Sequence, residues 1–71
     1  MEKETAKILE EIRRKRTEKN ISLAQLAADV GISNSHLYYI ESKRVIPSID
    51  VFVKISKALE TSIEEFLKEP R

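Results

Sequence analysis

The sequence predicts an all-α domain of five helices, and three observations carry that prediction. The 71 residues hold only two prolines and one glycine. Glu, Lys, Leu, Ile and Ala, all residues that enter helices at little conformational cost, make up much of the rest. Apolar residues recur at three- and four-residue spacing, and no stretch alternates with period two for long enough to form a strand. One domain is expected over residues 1–71, with helices at about 4–19, 22–30, 33–43, 48–59 and 62–68.

The first helix places Ile8, Leu9 and Ile12 on one face. Glu11 and Lys15 stand four apart, in the order that favours an ion pair along a helix. Asn20 follows, and Asn is the usual substitute for Gly where a helix ends in the left-handed conformation.

The second helix opens with Ser22-Leu23-Ala24-Gln25, a capping box in which each side chain satisfies a free backbone N–H. Leu23, Leu26, Ala27 and Val30 then form one apolar stripe. Gly31 stops this helix, since glycine reaches positive φ without a steric penalty. Ser33 caps the third helix two residues later. A connection of Gly31-Ile32-Ser33 is short enough to set two helices at roughly 90–120°, the helix-turn-helix corner, with Ile32 plugging the gap.

The third helix turns Leu37 and Ile40 inward and carries Asn34, Ser35, His36, Tyr38 and Tyr39 besides. It is poor in both charge and aliphatic bulk. Pro47-Ser48 marks the next boundary, with Ser48 as cap and Asp50 near the positive helix end. Ile49, Phe52, Val53 and Leu59 are expected to form the buried face of the fourth helix. Ser62 and Glu65 make a second capping box, followed by Ile63, Phe66 and Leu67.

Composition excludes several function classes. With no cysteine there is no disulfide, thiolate metal site or cysteine nucleophile. His36 is the only histidine, and it has no partners for a metal site. Neighbouring residues on a helix do not face each other, so Ser35 and His36 form no triad, and Glu10-Glu11 and Glu64-Glu65 form no acid–base dyad. A chain this short has little room for a large catalytic pocket. No enzyme, metal or cofactor is expected. No apolar run approaches the ~18 residues of a membrane span, and the charged start is unlike a signal peptide, which points to a soluble cytoplasmic protein. The net charge is +1 and the pI about 8.0, modest for a protein that coats nucleic acid. Cations do cluster in Arg13-Arg14-Lys15-Arg16 and in Lys43-Arg44, where a solvated helix face is the competing reading for both runs.

The run from Ser22 to Ser33, SLAQLAADVGIS, resembles the core of the Cro-type (XRE, phage-repressor) helix-turn-helix family. Tyr39-Ile40-Glu41, Pro47-Ser48 and Lys57-Ala58-Leu59 continue the match in order, so that it covers about Ile12 to Leu67. The resemblance implies a compact lambda-repressor-like domain that binds double-stranded DNA in the major groove. It also implies a transcriptional regulator, typically a repressor acting as a homodimer on a palindromic operator. Ser33, Asn34, Ser35 and Tyr39 match positions that touch bases. Ser22, His36, Ser42, Lys43 and Arg44 match positions near phosphate. Arg16 and Glu41 match a structural ion pair of the family. Four residues depart from its pattern: Leu23 stands where many members carry glutamine, Lys43 and Glu60 replace glycines, and Lys15 takes a usually aliphatic place.

The chemistry of these residues agrees with the roles the resemblance implies. The Asn34 amide is able to donate to and accept from adenine, or else to act as a second cap beside Ser33. Ser35 either contacts a base or only provides clearance. Tyr39 shares its face and is suited to a thymine methyl or a phosphate, while Tyr38 points elsewhere and is expected to be partly buried. Cations such as Lys43 and Arg44, just past a helix end, suit both the helix dipole and a phosphate. Ile63, Phe66 and Leu67 are candidates for a dimer interface. The alternative function is a protein-interaction module of the same fold that has lost DNA binding.

Overall fold

A computed structural model describes residues 1–68, so residues 69–71 of the expected domain lie outside the described ones. Five helices follow in the order α1 (Lys3–Glu18), α2 (Leu23–Val30), α3 (Asn34–Glu41), α4 (Ile49–Ala58) and α5 (Ile63–Leu67), with no strand among the described residues. Each lies within a residue or two of its predicted span.

One start signal and one stop signal are used repeatedly. Ser22, Ser33, Ser48 and Ser62 sit in extended conformation before α2 to α5, and each hydroxyl oxygen accepts the backbone N–H three residues on, at 3.0–3.2 Å. The reciprocal half of the capping box is absent. Gln25 donates to Asp29 Oδ1 instead, and the Glu65 carboxylate lies 3.8 Å from the Lys15 ammonium.

Helices α1 to α4 each end at a residue with positive φ: Asn20 (58°), Gly31 (82°), Lys43 (65°) and Glu60 (52°). The residue after each donates its N–H to the carbonyl five positions back, at 2.9–3.1 Å. This is the closing bond of the Schellman motif, which satisfies carbonyls the helix leaves open. Lys43 and Glu60 therefore adopt the left-handed conformation of the glycines they replace.

The core is contributed by every helix. Leu9 and Ile12 of α1, Leu26, Ala27 and Val30 of α2, Leu37 and Ile40 of α3, Ile55 and Leu59 at α4, and Phe66 of α5 are all at most 3% exposed. Burying each large side chain contributes on the order of 1.5–3 kcal/mol. Phe52 packs its ring against Phe66 with centroids 5.3 Å apart. Helix α2 lies against α3 and α4, and α1 against α3 and α5. Ile32 packs against the core from the turn, as expected.

Several expectations about faces require correction. Ile49 is 76% exposed. The buried residues of α4 and its cap are Ile55, Ser56 and Leu59, with Phe52 half-buried against them, while Val53, also expected in the core, is only half-buried and Ile49 at the helix start stays exposed. Phe66 is buried at 2%, so only Ile63 and Leu67 of the expected interface group reach the surface. Glu11 pairs with Arg14 rather than Lys15. Lys15, standing at an aliphatic position, lays its ammonium 5.9 Å from the Phe66 ring centroid and thus keeps its stem on the core.

Candidate nucleic-acid interface

Helix α3 stands out from the body because the Gly31–Ser33 turn is short and α3 buries only one side. Leu37, Ile40 and Glu41 face inward, whereas Asn34, Ser35, Tyr38 and Tyr39 are exposed. The inward side is fixed to α1 by an ion pair. Arg16 Nε and Nη2 donate to the two Glu41 oxygens at 2.8 and 2.9 Å, and Arg16 Nη1 donates to the Ile21 carbonyl at 2.8 Å. No buried side-chain nitrogen or oxygen among the described residues lacks a partner.

The outward side holds most of the predicted base-reading residues. Ser33 is exposed, but its oxygen already accepts the His36 N–H, which leaves its hydroxyl proton to donate. The cap is therefore Ser33 alone. The Asn34 amide makes no hydrogen bond among the described residues and is exposed to solvent. Ser35 is likewise exposed.

Tyr39 is 42% exposed and Tyr38 52%, more than the partial burial expected for Tyr38. Their rings meet edge to face at 5.9 Å, and the Arg44 guanidinium lies 6.0 Å from the Tyr39 centroid. Leu23, Asn34, Ser35, Tyr38, Tyr39 and Arg44 together line an open depression of about 320 Å³.

The predicted phosphate-side residues are less uniform. Ser22 and Ser33 are both occupied as caps, and Ser42 donates to the Tyr39 carbonyl at 3.3 Å. His36 is half-buried. Lys43 is not free, because its ammonium is hydrogen-bonded to Glu10 on α1. Arg44 has no carboxylate partner among the described residues.

The basic run on α1 separates in the same way. Arg14 pairs with Glu11 and Glu18, Lys15 lies near Glu65, and Arg16 holds Glu41. The Arg14 hydrogen bond, together with the charges of Arg14 and Lys15, holds the Glu11 carboxyl below its ordinary range, against the opposing effect of burial. Only Arg13 of the four is without an acidic partner among the described residues. It lines a second depression of about 270 Å³ that shares Leu23 and Tyr38 with the first. Arg13, Tyr38 and Leu23 are thus members of this face that were not among the residues expected to contact DNA. The spacing of Arg13 from the three paired cations would have separated it only once their partners were known.

A family model for helix-turn-helix proteins matches residues 12–66. The chain belongs to the helix-turn-helix family. Its Cro-type assignment and its five-helix architecture agree with solved structures of that family. The N-terminal DNA-binding domain of SinR from Bacillus subtilis superposes with a TM-score of 0.81 at 34% identity, over 93% of this chain and 97% of that one. SinR, the master regulator for biofilm formation, in complex with DNA gives 0.77 at 35% identity, over 86% and 98%. The SinR–SinI complex gives 0.78 at 36% identity, over 87% of this chain and 61% of that one. No curated protein sequence matches the chain significantly. Within the helix-turn-helix family, the second helix of the motif corresponds here to α3, the helix whose outer side carries the unpaired Asn34.

Proposed function

We propose that this helix-turn-helix protein is a transcriptional regulator that reads double-stranded DNA with α3 in the major groove. One observation carries the reading. A short turn and a buried ion pair hold α3 with its outer face exposed, and among the described residues that face carries an unengaged amide, two tyrosines and an unpaired arginine but no carboxylate. SinR, similar over nearly its whole DNA-binding domain, has been solved in complex with DNA, which supports the same mode here.

In this arrangement Asn34 reads adenine, Ser35 and Tyr39 contact neighbouring bases or their methyl groups, and the Ser33 hydroxyl donates. Arg44 and Arg13 take phosphates, Lys43 joins them on leaving Glu10, and the exposed Ser22 hydroxyl and the His36 and Ser42 side chains flank the backbone. The protein acts as a homodimeric repressor on a palindromic operator. The described residues extend 29 × 23 × 19 Å, shorter than the roughly 34 Å between half-sites, so one molecule serves one half-site and a palindrome needs two. Exposed Ile63 and Leu67 on α5 supply apolar surface for that pairing.

The test is selection from random duplex DNA by the purified protein at about 150 mM salt, where phosphate contacts alone do not hold most sequences. Enrichment of a two-fold symmetric sequence is expected. Folded protein that enriches nothing would overturn the reading in favour of a module that binds proteins. A single enriched half-site would overturn the homodimer alone.

A further inference from the structure

The opening residue of α2, Leu23, has two environments. It packs against the core and also lines the depression shared with Tyr38 and Tyr39. Many members of the family it resembles carry glutamine at this position, where this chain has an apolar group at the edge of the proposed DNA-facing surface.

The chemistry of the depression indicates its occupant. Its apolar lining is a branched aliphatic group, Leu23, and the rings of Tyr38 and Tyr39, which meet edge to face. Its polar lining is Asn34, Ser35 and Arg44, and no carboxylate among the described residues lines it. That combination suits an apolar group attached to a polar, negatively charged polymer. On the major-groove edge of DNA the one apolar mark is the 5-methyl group of thymine. An Asn34–adenine pair at the same depression would place an A·T pair beside Leu23, and every A·T pair carries such a methyl.

We propose that Leu23, which lines one depression with Tyr38 and Tyr39, is a specificity-determining residue that reads a thymine 5-methyl group in each half-site. The inference rests on the DNA-reading function proposed above. It makes the half-site one in which thymine is preferred over cytosine and also over uracil, which has the same hydrogen-bonding groups without the methyl.

The experiment replaces each thymine of the selected duplex, one at a time, by deoxyuridine and measures the dissociation constant. Wild-type protein should bind about fourfold more weakly at one position per half-site, the effect of returning one methyl group to water. At that position Leu23→Ala should bind the thymine and uracil duplexes equally, while Leu23→Met, which stays apolar, should keep the preference. Helical content and melting temperature, measured alongside, establish that the variants are folded. If Leu23→Ala does not fold, Leu23→Gln, which puts an amide at that position, should likewise bind the two duplexes equally, and an unchanged preference in it would overturn the inference. A duplex whose binding is indifferent to every methyl removal would overturn this inference and leave DNA reading intact, as would an unchanged methyl preference in folded Leu23→Ala. Failure to select any duplex would overturn both.

Discussion

Both carboxylate oxygens of Glu41, in the last turn of α3, are held by the guanidinium of Arg16 on α1, at 2.8 and 2.9 Å. The Arg16 side chain is 12% exposed and that of Glu41 5%, so the pair is nearly dry. A third bond ties Arg16 to the Ile21 carbonyl in the turn before α2. One side chain thus joins α1, the start of the helix-turn-helix and the end of α3. The pair fixes where the outer face of α3 points.

Because the pair is buried, removing either partner strands a charge. Glu41→Ala or Arg16→Ala should destabilise the fold by roughly 3–5 kcal/mol, measured by urea unfolding. An apolar pair, Arg16→Met with Glu41→Leu, should recover most of that loss, since the desolvation of both ions is avoided. If the double variant is no more stable than the singles, the stranded-charge account fails.

The left-handed helix ends allow a stabilising change. Glu60 is exposed at φ 52°, where a residue with a Cβ is strained by about 1–2 kcal/mol. Glu60→Gly should raise stability by roughly 0.5–1 kcal/mol after the added entropy of glycine in the unfolded chain, a melting shift of several degrees. Gly31→Ala should do the reverse. A Cβ there would meet nothing within 4 Å, so backbone strain alone opposes it.

Two adjacent cations should behave differently on DNA. Arg44→Ala should weaken binding to all sequences similarly and lower the slope of affinity against salt by about one per site. Lys43→Ala should have a smaller effect, because Lys43 must first leave Glu10. Glu10→Gln should therefore tighten binding, read in the same salt titration.

The Glu11 carboxyl is held below its ordinary range chiefly by the Arg14 hydrogen bond. A depressed carboxyl stabilises the fold above its unfolded value, near pH 4.5, and loses that contribution as pH falls through the folded value. Glu11→Gln should reduce stability by a few tenths of a kcal/mol at pH 7 and converge with wild type under acid conditions, followed by thermal melts across pH.

Most of the fold was legible because its signals are local. Four serine caps, Asn20 and Gly31 mark boundaries by chemistry within a few residues, and the apolar stripe of α2 identifies its own inner face. What the sequence left hidden depends on partners distant along the chain. Four successive cations on α1 look alike until Glu11, Glu18, Glu41 and Glu65 engage three of them and leave Arg13. Lys43 reads as free until Glu10 arrives from 33 residues away. Ile49 carries the apolar signal of a core residue, yet it is exposed at the start of α4 while Val51 and Phe52 of the same turn pack against the core. Leu23 fits the stripe and still reaches the groove face, a dual placement that spacing alone does not reveal.

The most direct test of α3 as the reading element is the affinity of Asn34→Ala for the selected duplex and for each of its single-base substitutions. The expected result is lost preference at one base pair per half-site, worth roughly 1–3 kcal/mol, with every other position discriminated as by wild type. A folded Asn34→Ala protein that keeps the full preference at every position would contradict the assignment.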